Sequence, residues 1–214
     1  KGKITNFMGT MFGDIFIDHG AIEAHKWIDS GAGDDIHIAG GGGDSINPGA
    51  GNDFVNGQSN VSQYDYDDWG SRDEVTFWNT SYSQVELEEV SVVVDSAGMA
   101  ATNANGQWEI YGYDGDAALT SDAVDLKSTA APGGATKAYL VTDTKAGGIG
   151  TNLLVGIEAI GFSDQYIEVQ GRENTWSWTD WTGQTITEKS IEGTLFSEDL
   201  DGAAGTDSLS GRGG

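Results

Sequence analysis

The residues best placed to do chemistry are carboxylates set at a fixed spacing. Residues 30–56 divide into three blocks of nine, SGAGDDIHI (Ser30 to Ile38), AGGGGDSIN (Ala39 to Asn47) and PGAGNDFVN (Pro48 to Asn56). The sixth place is acidic each time, at Asp35, Asp44 and Asp53. The second and fourth places are Gly31 and Gly33, Gly40 and Gly42, and Gly49 and Gly51. The same frame fits Gly9 to Ile17, with Asp14 sixth, and it returns at Gly193 to Asp201 and Gly202 to Ser210, with Glu198 and Asp207 sixth. Glycines permit positive-φ turns in which carbonyl oxygens converge. A carboxylate beside such a turn adds the hard anionic oxygen that Ca²⁺ takes at about 2.3–2.6 Å. The chemistry of the pattern is therefore cation binding, with several calcium ions held by these turns and acids.

The elements that must position those oxygens follow from the same frame. The residues after each acid form a short strand, and the apolar eighth residue (Phe16, Ile46, Val55) points into a narrow core. His37 departs from that rule, and in the degenerate stretch 21–29 Lys26 stands in the acid place while Ile28 keeps the apolar one. Each block makes a half-turn of a flattened parallel β-helix, and two make a coil of about 18 residues. Asp35 and Asp53 then share one edge, and Asp44 faces the other.

The repeat resembles that of the RTX (repeats-in-toxin) calcium-binding β-roll family, over roughly residues 9–57 and 193–214. A second resemblance lies in Tyr139 to Asp164. Val141 to Thr144, Gly150-Thr151, Leu154, Gly156-Ile157-Glu158, Phe162 and Asp164 are similar to the segment that interrupts RTX arrays in secreted proteins and large bacterial surface adhesins. Asn152 replaces the usual Asp there. The resemblance implies one split domain over 1–214: a first arm at 9–60, an inserted β-rich region at 61–190, and a second arm at 191–214.

Within the insert, aromatic and β-branched residues rise and no helical periodicity appears in the pattern. Strands are expected at Asp73 to Trp78, Val85 to Val94, Gln107 to Gly112, Ala138 to Asp143, Leu153 to Phe162, Tyr166 to Val169 and Thr175 to Trp181, with a turn at Lys145 to Gly150. The fold class expected is thus all-β, a calcium-bound parallel β-roll interrupted by a non-repetitive β insert. Trp78 and Trp108 are expected in the core. Trp176, Trp178 and Trp181 lie in a Thr/Ser/Asp setting, where aromatics either pack a core or mark a binding surface. The acidic group Asp65, Asp67, Asp68 and Asp73 around Trp69 is either a solvated loop or a further calcium site. At the junction of arm and insert, an ion there would keep coordination places open for a ligand's oxygen. Asp67, Asp68, Trp69, Trp176, Trp178 and Trp181 are accordingly the candidate ligand-binding residues.

Composition sets the remaining bounds. The 214 residues carry 34 acidic and 10 basic side chains, a net charge of −24, with 33 Gly, seven Trp, seven Tyr and seven Phe. So many aromatics argue against a disordered acidic tail. The charge excludes nucleic-acid binding and adhesion to an anionic membrane. With no Cys, disulfides, thiolate zinc sites and Cys nucleophiles are excluded. No apolar run approaches the roughly 18 residues of a membrane span, and no signal peptide is expected at the start of the sequence. The sequence begins and ends mid-pattern, so it is expected to belong to a longer chain with neighbouring domains. His19 and His25 stand alone, no His-Glu-x-x-His or Gly-x-Ser-x-Gly motif occurs, and no acid pair stands out for glycoside hydrolysis, so no catalytic residue and no enzyme is expected. The resemblance implies a monomeric, calcium-dependent module of a secreted adhesin at the bacterial surface, recognising an extracellular glycan or peptide. The alternatives are a structural segment that folds on meeting calcium, or a non-catalytic part of a secreted RTX enzyme.

Overall fold

The computed structural model describes residues 6–18, 25–58, 72–113, 121–143, 148–170, 172–194, 196 and 208–210. These residues are all-β with curled sheets, and among them there is no α-helix.

Three-residue strands follow each sixth place: β1 (Asn6–Met8), β2 (Ile15–Ile17), β3 (Trp27–Asp29), β4 (Ile36–Ile38), β5 (Ser45–Asn47) and β6 (Phe54–Asn56). Glycine turns make such short strands possible. Gly31, Gly40 and Gly49 have φ of 90°, 77° and 89°, which side chains rarely adopt. Successive strands alternate between two sheets, so strands adjacent in sequence lie opposite one another and not side by side. In one sheet, Phe7, Ile28 and Ile46 are in parallel register, continued by Val75 of β7 (Glu74–Phe77). In the other, Phe16, His37 and Val55 align, continued by Leu154 of β12 (Thr151–Val155). The first ladder ends with β13 (Ala159–Phe162) beside β7 and β14 (Tyr166–Glu168) antiparallel to β13. Both ladders therefore run on past residue 60, the expected end of the first arm.

The second sheet is enlarged by β8 (Val85–Val92), β9 (Trp108–Tyr111), β10 (Val124–Lys127) and β11 (Thr136–Asp143). Its eight strands run β10-β9-β8-β11-β12-β6-β4-β2. Because side chains alternate across a strand, this sheet feeds two cores. Val55, Leu154, Tyr139 and Val141 join Ile28, Ile46 and Val75 between the two sheets. On the other face, Phe54, Leu153, Val155, Leu140 and Ala138 are covered by Val90, Val92 and Ile110. A third sheet comprises β15 (Arg172–Thr179), β16 (Thr185–Glu192) and β17 (Ser208–Ser210). β17 pairs parallel with β16, and Phe196 packs on the first core, its ring 5.4 Å from that of Tyr139.

Four expectations change. The strand expected at Thr175 to Trp181 ends at Thr179, and Trp181 falls in the turn beyond it. The strand expected at Leu153 to Phe162 is two strands, broken at Gly156 (φ 61°), because the chain turns there from one sheet to the other. The strand expected at Val85 to Val94 ends at Val92. Trp78, expected in the core, falls in the turn beyond β7 and is 57% exposed. Trp108 is half-buried against Phe54, with ring centroids 6.3 Å apart.

Candidate functional site

The sixth-place residues form two columns, one along each edge where the chain crosses between sheets. The first holds Asp14, Asp35 and Asp53, each joined to the next through the backbone. The Asp14 N–H donates to Asp35 Oδ1 at 2.6 Å, and the Asp35 N–H donates to Asp53 Oδ1 at 2.9 Å. Asn152 stands next, since Leu153 pairs with Phe54. The second column starts at Lys26, whose N–H donates to Asp44 Oδ1 at 2.8 Å. The Asp44 N–H then donates to Asp73 Oδ1 at 2.8 Å, and the Asp73 N–H to Glu158 Oε2 at 2.7 Å. One carboxylate oxygen thus satisfies the turn below it, and the other remains for something else.

These acids are deeply buried. Asp35, Asp44, Asp53 and Asp73 are at most 2% exposed, and Glu158 is 7% exposed. Burial raises the pKa of Asp35 and Asp44, pushes Asp53 up to about 8 and Glu158 up to about 7, and drives Asp73 well above the carboxylate range. Asp44 is partly relieved by Lys26, which hydrogen-bonds to it. In the first column, among the described residues, no ammonium takes that part, and Asp35 Oδ2 and Asp53 Oδ2 are buried with no hydrogen-bond partner. Asn152 Oδ1 and Glu158 Oε1 share that condition. Buried polar atoms are normally satisfied, so each orphan asks for an explanation, and an ion is one of the standard ones.

The glycines of the pattern hold the turns of successive rungs in close contact. A Cβ on Gly49 would lie 2.0 Å from Gly31 O, one on Gly51 would lie 2.1 Å from Gly33 O, and one on Gly31 would lie 2.1 Å from Thr10 O. Gly40 and Gly42 take positive φ in the turn facing Lys26. Among the described residues no three His, Asp or Glu side chains converge as a metal group. The paired acids along each edge would need backbone oxygens to complete a coordination shell.

Asp65, Asp67, Asp68, Trp69, Glu198, Asp207 and His19 lie outside the described residues. His25 bonds through Nδ1 to Gly43 O at 2.5 Å and stacks edge-on against Trp27. His37 is fully buried, its Nε2 2.5 Å from Ser30 Oγ, and burial lowers its pKa to about 4.

Trp176 and Trp178 share a face of β15 and are 45% and 48% exposed, while Trp181, in the hairpin turn, is 96% exposed. Asp180 fixes that turn by accepting from the N–H groups of Thr182 and Gln184, and Glu188 Oε2 holds Trp176 Nε1 at 2.8 Å. Sequence reasoning missed a second aromatic surface. Trp27 and Trp78, both more than half exposed, flank a trough of about 520 Å³ over Ser45, Asn47, Thr76 and Asp29. The alternation Trp27-Ile28-Asp29 around a core Ile was the available signal, because it turns both neighbours outward.

A scan against protein-family models finds no match, and neither do searches of curated proteins and of solved structures.

Proposed function

We propose that the chain is a calcium-dependent ligand-binding module of a secreted RTX-type bacterial adhesin, built as a calcium-bound parallel β-roll with a β insert. The observation that carries the reading is the orphaned second oxygen of both Asp35 and Asp53, buried on one edge with no hydrogen-bond partner among the described residues. Their donor chemistry, carboxylate oxygens beside glycine turns, fits Ca²⁺, which accepts irregular shells of six to eight oxygens. Bound ions would neutralise the edge and let the two turns stack. The resemblance to RTX repeats implies export of the unfolded chain and folding on reaching calcium outside the cell. Asp14, Asp35 and Asp53 are the described ligands of this scheme, and Glu198 and Asp207 would serve the second arm. On this reading no residue is catalytic.

Exposed aromatics favour a binding role over a mere spacer. Trp faces flanked by hydroxyl, amide and carboxylate groups suit the apolar and hydroxylated sides of a sugar. A net charge of −24 turns anionic ligands away. A neutral glycan is therefore the ligand class, with a peptide second. Circular dichroism at pH 7.5 should lose its β signal in chelator and regain it with millimolar Ca²⁺. A glycan array with the calcium-loaded chain should give hits that Trp27→Ala/Trp78→Ala or Trp176→Ala/Trp178→Ala removes. A spectrum and melting temperature indifferent to chelator would overturn the calcium reading. An array silent for every glycan would leave the structural role in its place.

A further inference from the structure

Lys26 breaks the repeat, and its surroundings say what it does there. Its side chain is 3% exposed, and its ammonium lies among five oxygens: Ala39 O at 2.9 Å, Gly41 O at 3.0 Å, Asp44 Oδ2 at 3.0 Å, Asp44 Oδ1 at 3.3 Å and Asp18 Oδ2 at 3.3 Å. Two backbone carbonyls come from the first and third places of the block above. One carboxylate comes from its sixth place, and a second, Asp18, from the start of the connection that ends at Lys26. An ammonium has only three protons to donate, so five oxygens around it describe a cation seat more than a set of ordinary hydrogen bonds. The opposite edge supplies the comparison. There Asp14 and Asp35 stand in the place of Lys26, the same backbone bond links each rung to the next, and the second oxygens of Asp35 and Asp53 have no partner. Where the lysine is present, Asp44 Oδ2 has one.

We propose that Lys26 is a tethered cation occupying one divalent-cation seat of the fold, so that this rung is held without metal and becomes a calcium site when the lysine is removed. The seat has the components a calcium shell requires. Two carbonyls and two carboxylates already converge, and a carboxylate at position 26 would add a third anionic group on the side from which the ammonium enters. Moving from 2.9–3.3 Å around nitrogen to about 2.3–2.6 Å around Ca²⁺ requires contraction by about half an ångström, within reach of two carboxylates that rotate. A single charge covalently attached also costs no ion capture, so this rung can form before calcium arrives. The fold would then start on its lysine edge and be completed on its calcium edge.

The inference rests on the calcium reading above only for the ion count of the parent chain. The test is calcium stoichiometry by isothermal titration and equilibrium dialysis on the full chain and on Lys26→Asp, with circular dichroism in parallel. Lys26→Asp should bind one more Ca²⁺ than the parent. It should lose β signal at calcium concentrations that leave the parent folded, and recover it at higher ones. Lys26→Met keeps the stem but not the charge, so it should melt lower than the parent at saturating calcium. If the parent binds no calcium, the proposed function fails, while a single ion gained by Lys26→Asp still supports the seat. If the parent binds calcium and folded Lys26→Asp binds the same number, the seat is refuted. Should Lys26→Asp stay unfolded at every calcium concentration, or Lys26→Met melt no lower than the parent, the tethered-cation role is refuted as well.

Discussion

Replacing Asp53 by Asn changes a charge while keeping the shape and the oxygen that accepts from the Asp35 N–H at 2.9 Å. Without metal, the Asp53 carboxyl is held up at about 8 by burial, against an unfolded value near 3.8. A group whose folded pKa is raised stabilises below its unfolded pKa and loses that contribution as pH climbs through the folded value. Between pH 5 and 7 the unfolded chain is ionised at this residue and the folded chain is not, so the loss runs at about 1.4 kcal/mol per pH unit, or roughly 2.7 kcal/mol in all. Asp53→Asn has no such slope. The assay is urea unfolding in chelator at pH 5, 6 and 7, with a stabilising osmolyte where the metal-free fold is otherwise unpopulated. The stability difference between the two proteins should swing towards Asp53→Asn by about that amount, because every other titrating group is common to both. Saturating Ca²⁺ at pH 7.5 should reverse the order, with the parent the more stable. Parallel pH profiles in chelator, within about 0.5 kcal/mol, would refute the claim that this carboxylate lacks a counter-charge in the metal-free chain.

His37 predicts the opposite slope. Its folded pKa of about 4 lies below the unfolded 6.5, so its contribution is complete above pH 6.5 and is lost towards pH 4. In calcium, this amounts to about 3 kcal/mol that His37→Val should remove from the pH profile, at a fixed cost of about 1–3 kcal/mol for stranding Ser30 Oγ. Gly49→Ala should abolish or severely weaken folding, since φ is 89° and its Cβ would lie 2.0 Å from a carbonyl oxygen; circular dichroism across a calcium titration reads this. Phe54→Ala, in the second core at 1% exposure, should cost about 3–5 kcal/mol in urea unfolding with calcium present. Trp181→Ala, at a 96% exposed position, should change stability by less than about 0.5 kcal/mol.

The local geometry was legible wherever the nonapeptide is intact. Glycine at places two and four, an acid at six and an apolar residue at eight lead from residues 30–56 to turns, short strands and alternation between sheets, because each place has one physical duty. The insert was legible only as β structure. Val85 to Val92 and Thr136 to Asp143 pair over eight residues, and alternation identifies such strands, but nothing local says that Leu140 opposes Glu88. Trp78 misled because a strand signal at Val75 and Phe77 was carried one residue too far, and past the strand end a large apolar side chain turns to solvent.

The site columns show the deeper reason why sequence reading stops. A place in a column is fixed by which rung lies above, not by how many residues separate the rungs. Lys26 and Asp44 are 18 apart, as the repeat demands, but Asp44 and Asp73 are 29 apart and Asp73 and Glu158 are 85 apart. The same backbone-to-carboxylate bond forms across 18, 29 and 85 residues, so the excursions erase the period without erasing the geometry. Asp73 was read with the acidic loop before it, and Glu158 with the Gly-Ile-Glu segment, yet both stand in the acid place of a rung. A carboxylate that accepts an N–H from the rung below is the feature they share with Asp44, and only coordinates display it. Lys26 was visible as an exception from the start. Its meaning required Asp18, Ala39, Gly41 and Asp44 around one nitrogen, a convergence that no spacing rule contains.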